Sequence, residues 1–220
     1  LIGATNVVVT GNPIKIKKLA IKKKKKNEIK NELGIKSEKP IVLVFGGSQG
    51  AQSINRSFIE IIVNKKNKNY QIVWAAGPGQ YDEIKSQLSE VNVDINNIEN
   101  VKIVPYIYNM EEVMNTCDMV VCRSGAMTIT EVSVVGKPAI FIPFPYATEN
   151  HQEYNARVLE KVGAAKIILD KDLNSEILEN TIEKMVRDKS KLKKMGENAT
   201  KVAMQNVEDR IYKEIKKVVK

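Results

Sequence analysis

Several residue types that build well-known protein classes are scarce in this sequence. Its 220 residues include two cysteines and one histidine. Two cysteines are too few for a disulfide framework. Cys117 and Cys122 flank an apolar, strand-like run, which predicts a buried, reduced pair in a cytosolic protein. No apolar run approaches the roughly 18 residues that a membrane-spanning helix requires. His151 has no second histidine and no Cys/Asp cluster at ligand spacing, so no transition-metal site is expected. A Gly-x-Ser-x-Gly elbow is absent, and so is the Gly-Lys-Ser/Thr ending of a P-loop.

What is present is apolar and basic. Hydrophobic residues make up 43% of the chain, far too many for a disordered polymer, and the length fits one sizeable domain or at most two small ones. The net charge of +9 is concentrated: residues 1–40 hold 11 Lys and 3 Glu, and the remaining 180 residues are nearly neutral. The centre of this charge, Lys22 to Lys26, reads either as a solvated loop or helix start, or as an attraction to an anionic membrane surface. It carries no arginine and no interleaved aromatic ring, so neither bidentate base reading nor stacking is offered and nucleic acid is not expected as a partner.

From residue 40 onward, short β-branched runs recur at 41–45, 71–74, 101–104, 119–122, 139–142 and 165–168. Amphipathic stretches near 51–65, 80–89, 109–115, 127–135 and 150–161 separate them. Apolar runs bounded by Gly or Pro are what buried parallel strands look like. Their alternation with helices implies right-handed βαβ units, hence an α/β fold with a Rossmann-like, doubly wound parallel sheet. Beyond 173 the pattern is helical only, near 174–187, 190–203 and 205–219, with Asn174 or Ser175 capping the first of these. Residues 1–13 read as a strand and turn entering from something upstream, and the start at Leu1 in mid-pattern suggests a longer polypeptide.

Ligands of open α/β sheets bind outside the carboxyl ends of the strands. Three loops there carry chemistry. Gly46-Gly47-Ser48-Gln49-Gly50-Ala51 lies between a strand and a helix, where glycines allow close backbone approach and the helix start offers free N–H groups to a phosphate. A tight turn for strand–helix packing has the same signature. Arg123-Ser124-Gly125-Ala126-Met127-Thr128-Ile129-Thr130-Glu131 repeats this arrangement after the next strand. Two such starts can hold the two phosphates of a diphosphate, and Glu131 can accept hydroxyls of a sugar or ribose, or simply favour its helix dipole. The third loop, Pro143 to Ala156, delivers His151, Gln152 and Asn155 at a helix start, where a polyhydroxylated ligand could be met; a lone histidine there also fits a surface or capping role.

Together with Gly11-Asn12-Pro13-Ile14-Lys15 and His151-Gln152-Glu153-Tyr154-Asn155-Ala156, these motifs occur in the order seen in MurG, a family of peptidoglycan glycosyltransferases that the chain resembles from about residue 9 to its C-terminus. That family moves N-acetylglucosamine from UDP-N-acetylglucosamine to undecaprenyl-pyrophosphoryl-N-acetylmuramoyl-pentapeptide. The resemblance implies a GT-B fold in which 1–14 is a linker or strand from an N-terminal domain outside this chain and 15–220 is the UDP-sugar-binding domain. It implies diphosphate contacts from Ser48 and Thr128, helped by backbone amides around Ala126 and Met127 and continued by Ile129 and Thr130. Glu131 would take the ribose hydroxyls, the backbone at Ile107 the uracil edge, and Gln152 with Asn155 the N-acetylglucosamine. Lys15 stands where the family usually has arginine. No cofactor, no metal and no catalytic residue is expected here, since the general base would belong to the other half. The implied setting is peripheral, on the cytoplasmic face of a bacterial cell membrane. A UDP-sugar transferase acting on diacylglycerol and a non-catalytic uridine-nucleotide module are the alternatives.

Overall fold

The computed structural model describes residues 7–18, 23–35, 38–47 and 49–219. Its strands are β1 (Ile41–Phe45), β2 (Gln71–Ala75), β3 (Val101–Val104), β4 (Met119–Cys122), β5 (Ala139–Phe141) and β6 (Ala165–Ile167). They form one parallel sheet in the order β3-β2-β1-β4-β5-β6. The sequence-predicted strands coincide with these to within a residue at their ends.

The helices among the described residues are α1 (Lys23–Glu32), α2 (Gln52–Val63), α3 (Pro78–Glu90), α4 (Met110–Thr116), α5 (Ala126–Val135), α6 (His151–Lys161), α7 (Ser175–Val186), α8 (Lys189–Lys201) and α9 (Val207–Val218). As expected, Asn174 caps α7, its side chain accepting from the Ile177 amide at 2.8 Å. The lysine-rich run is helical from Lys23, with Ile29 buried on its inner face.

Side-chain alternation along the strands feeds two cores. Val42, Val44, Ile72 and Trp74 face α2 and α7, packing with Ile54, Phe58 and Leu178. Leu43, Phe45, Val73 and Phe141 face the other layer, with Ile29, Val113, Val132 and Leu159. Because both faces are covered, every residue of β1 and β2 is buried, which is why these strands read as unbroken apolar runs. Cys117 and Cys122 are buried free thiols, and burial pushes the Cys117 pKa up to about 11.

One expectation is corrected. Residues 7–14 form no strand. The segment adds to neither outer strand of the sheet, β3 or β6, and Val7, Val8 and Val9 are exposed, so no apolar face is buried to hold them as a strand. The segment instead abuts the helices: Asn12 Nδ2 donates to Thr130 Oγ1 at 3.2 Å, and Gly11 lies against Met204 and Val207. Residues 1–6 are outside the described residues.

Candidate functional site

In the strand order, β1 and β4 are adjacent although the 73 residues between them run out through β2 to the edge strand β3 before returning to the other side of β1. Phe45 is paired with Cys122, so the turns that follow both strands start side by side at the topological switch point. A cleft of about 450 Å³ opens there, lined by Gly46, Gly47, Gly50, Ala51, Gly125 and Thr128 from those turns. Phe144, Tyr146 and Gln152 complete it from the third loop, with Arg123 and Asp170 at its base.

Two helices begin at this cleft. α2 follows Ala51 and α5 follows Gly125, and neither has a side chain capping its first turn. A helix N-terminus leaves its first four N–H groups unsatisfied and carries about half a positive charge. Two uncapped starts on one cleft form a place for a diphosphate. The turn leading into α2 is held from behind. Gly50 has φ +78°, and a Cβ there would lie 2.4 Å from the Ala76 carbonyl oxygen. Gln80 Nε2 donates to the Gln49 carbonyl at 3.0 Å, Asn55 Nδ2 to Gln80 Oε1 at 2.6 Å, and the buried Trp74 indole to Asn55 Oδ1 at 3.1 Å.

The residues expected at the site are placed as follows. Thr128 and Gln152 line the cleft. Gln152 Oε1 accepts from the Ser124 amide at 3.2 Å and the Phe144 amide at 3.1 Å, two bonds that fix the side chain and do not use its Nε2. Ala126 and Met127 are exposed in the first turn of α5. Ile129 packs partly on the core, and Thr130 Oγ1 donates back to the Ala126 carbonyl at 2.9 Å. Glu131 lies one turn beyond Thr128, on the same side of α5 by helical spacing. Its carboxyl is half-buried, and burial raises its pKa above the ordinary value of 4.5. Ile107 has a buried side chain just past the end of β3.

Other candidates lie further out. Asn155 does not line the cleft; its Nδ2 donates to the Ser124 carbonyl at 3.1 Å and braces the β4–α5 turn from outside. His151 is exposed and its Nδ1 lies 2.8 Å from the Thr148 carbonyl, a local turn contact. Lys15 is exposed. Ser48 lies outside the described residues, as does Lys22. Among the described residues, no three His, Cys, Asp or Glu side chains gather closely enough to hold a metal ion, and no helix is long and apolar enough to cross a membrane.

Sequence reasoning assigned no role to Arg123, Ser53 or Asp170. The Arg123 guanidinium pairs with Asp170, donates to the carbonyls of Ile142 at 3.0 Å and Pro143 at 3.1 Å, and meets Ser53 Oγ at 3.0 Å. Ser53 Oγ in turn donates to Asp170 Oδ1 at 2.7 Å. The guanidinium also lies 5.5 Å from the centroid of the Phe144 ring. One side chain thus ties the β4 turn, the first turn of α2, the loop after β5 and the segment before α7 into a single base. The only sequence signal was an arginine directly after a buried strand.

The chain is similar to known proteins. A model of the glycosyltransferase family 28 C-terminal domain matches residues 41–211. The UDP-N-acetylglucosamine–N-acetylmuramyl-(pentapeptide) pyrophosphoryl-undecaprenol N-acetylglucosamine transferase of Acetivibrio thermocellus is 40% identical over 217 residues, covering 98% of this chain and 57% of that protein. The enzyme of the same name from Thermoanaerobacter sp. is 42% identical over 212 residues, covering 96% and 57%. This chain therefore spans little more than half the length of the curated relatives it matches. The crystal structure of Acinetobacter baumannii MurG superposes with a TM-score of 0.71 at 27% identity, over 82% of this chain and 52% of that one. WaaG, a glycosyltransferase of lipopolysaccharide biosynthesis, shares the fold with a TM-score of 0.64 at 16% identity, over 93% and 53%. With its strand order, its paired glycine turns and a family match over most of its length, the chain belongs to the glycosyltransferase family 28 C-terminal domain family.

Proposed function

We propose that this chain is the donor-binding half of a peptidoglycan glycosyltransferase, holding UDP-N-acetylglucosamine for transfer to undecaprenyl-pyrophosphoryl-N-acetylmuramoyl-pentapeptide. The observation that carries this reading is the convergence of two uncapped helix starts, α2 and α5, on one cleft at the switch point of the sheet. The curated relatives carry that activity in their names.

The residues divide the donor between them. The amides at the starts of α2 and α5, with the hydroxyls of Thr128 and Ser48, take the diphosphate. Glu131 accepts the ribose hydroxyls, the backbone at Ile107 reads the uracil edge, and Gln152 Nε2 meets the sugar. Lys15 adds a positive charge as a point ammonium and lacks the fork of an arginine. A hydroxyl of the acceptor sugar attacks the anomeric carbon from the face opposite the diphosphate. The new carbon–oxygen bond forms as the bond to phosphate breaks, and the electron pair leaves on UDP. Fixed amide dipoles stabilise the charge that grows there. The hydroxyl proton goes to a base on the N-terminal half, outside this chain.

Three surfaces support partners for this half. Tyr146 stands exposed at the cleft, and Tyr106 and Tyr108 stand exposed after β3, aromatic surface that a second domain would cover. Val7 to Val9 and the α9 residues Tyr212, Ile215 and Val218 leave apolar side chains uncovered, which an N-terminal domain would bury. The basic start of the chain suits a peripheral position on the cytoplasmic face of an anionic membrane, although Lys25 is already paired with Glu112 at 3.1 Å.

Calorimetric titration of the chain with UDP-N-acetylglucosamine and UDP-glucose tests the assignment. Tighter binding of UDP-N-acetylglucosamine is expected. A preference for UDP-glucose would move the assignment to a glycolipid transferase, and failure to bind either would overturn it.

A further inference from the structure

At the opposite end of the sheet, a second cleft of about 610 Å³ opens beside the residues that lead into the strands, Pro40 before β1, Asp118 before β4 and Pro138 before β5. Its walls are α1, the end of α5 and α8, and six of its lining residues are Lys18, Lys26, Lys30, Lys137, Lys189 and Lys193. The lining holds three carboxylates, fewer than its lysines: Glu38, Glu197 and Asp118, whose Oδ2 accepts from the backbone amide of Ile41 at 2.7 Å. Glu197 stands 4.0 Å from Lys193, and both are exposed.

Two of the lysines form the floor. Gly136 ends α5 with φ +74°, in the left-handed conformation that costs glycine little, and the chain reversal sets Lys137 inward. Lys137 Nζ donates to the carbonyls of Asn115 at 3.0 Å and Cys117 at 2.6 Å, with no carboxylate among these partners. Lys30 is 9% exposed and meets Glu38 at 3.4 Å, a side chain that is itself 93% exposed. A buried ammonium is costly unless an anion compensates it, and a surface carboxylate at that distance is a weak partner. The cleft is therefore a concave site with positive charge at its floor and rim.

We propose that this cleft is a second anion site, which takes a phosphate-bearing group independently of the sugar-nucleotide cleft. The inference stands on the lysine geometry and does not depend on the identity of the donor. The ligand chemistry is a phosphate dianion or phosphodiester, and two sources supply it: a soluble phosphate compound, or the headgroup of an anionic lipid.

The test uses the chain with isotope-labelled amides. Inorganic pyrophosphate is titrated while the amide resonances of Gly136 and Gly196, in the lysine cleft, are followed separately from those of Gly46 and Gly125, in the nucleotide cleft. Co-sedimentation with phosphatidylcholine vesicles containing phosphatidylglycerol forms the second arm. Each arm is repeated with a Lys189→Glu/Lys193→Glu double variant and with a control, Lys85→Glu/Lys213→Glu, at exposed lysines elsewhere. Saturable shifts at Gly136 and Gly196, weakened at least tenfold in the first variant only, are expected for a soluble phosphate. Vesicle retention lost in the first variant only assigns the lipid headgroup. The site is overturned if neither probe engages the chain, or if the control variant weakens binding as much. Both lysines of the double variant are exposed, and its unfolding midpoint and Gly46 and Gly125 resonances report whether it remains folded.

Discussion

The guanidinium of Arg123 and the carboxylate of Asp170 are joined directly although 47 positions separate them, and both line the cleft at the switch point of the sheet. The pair is mostly shielded, with side chains 12% and 21% exposed. Removing one partner of such a pair leaves a charge without compensation, a loss of about 3 kcal/mol or more in buried cases. Arg123→Ala is expected to lower the unfolding free energy by about 2–3 kcal/mol, part of the buried-pair value because Asp170 is not fully shielded. Arg123→Lys is expected to recover less than half of that, since an ammonium cannot reach two carbonyls, a hydroxyl and a carboxylate at once. Urea unfolding of the three proteins decides the matter, and a midpoint unchanged in Arg123→Ala would dismiss the bridge as an organising element.

Glu131 lies in a half-buried position where burial alone holds its carboxyl above the ordinary glutamate range. The folded, ligand-free chain therefore binds this proton more tightly than the unfolded one. Stability contributed at this position is present below pH 4.5, the unperturbed value, and is lost as pH rises through the raised one. Ribose hydroxyls donate to the ionised form, so UDP binding should weaken as pH falls through the same window. Glu131→Gln is expected to flatten both dependences, and Glu131→Ala to weaken UDP binding by about 1–3 kcal/mol. Calorimetry and thermal unfolding across that range measure them. An unchanged UDP affinity in Glu131→Ala removes this residue from the site.

A side chain at position 50 has nowhere to go. Gly50→Ala would combine a left-handed backbone with a Cβ 2.4 Å from the Ala76 oxygen, which is backbone and cannot swing aside. The strain is on the order of 1–3 kcal/mol, and relieving it moves the turn that opens α2. The expected result is reduced stability together with at least tenfold weaker UDP binding; full affinity would show that this turn does not touch the ligand.

Two substitutions at position 152 separate support from contact. Gln152→Ala deserts the amides of Ser124 and Phe144, at a cost of about 1–3 kcal/mol where they are sheltered. Gln152→Glu keeps an acceptor for both amides while removing the amide donor and adding a negative charge. The glutamate variant should retain near-native stability yet bind UDP-N-acetylglucosamine less tightly. If its affinity matches that of the parent, Gln152 serves the scaffold alone.

Four strands, β1, β2, β4 and β5, were legible because each is a short apolar run buried throughout; the edge strands β3 and β6 each keep one exposed lysine and were legible from the β-branched residues around it. The glycine turns were legible because they stand at the ends of those runs. Val7 to Val9 have the same local composition but stay exposed with neither face covered, so the run that reads as a strand is irregular chain at the surface. The Lys23–Glu32 helix was obscured by its charge: among its residues from 25 to 32, only Ile29 and Lys30 are buried. Asp170 and Ser53 were invisible as partners of Arg123 because nothing in a linear sequence records contacts across 47 and 70 positions. Asn155 has the residue type for a sugar contact, and only the packing of α6 behind the β4–α5 turn shows its side chain turned to the backbone of Ser124.

Trp74 is the chain's only tryptophan, and its indole is the buried end of a relay through Asn55 and Gln80 to the backbone of Gln49. Any rearrangement of the glycine turn on engaging a diphosphate pulls on that relay and alters the polarity felt by the ring. The protein thus contains its own optical gauge: indole emission arises from one place, and quenching or a shift on adding ligand reports the turn without any attached dye.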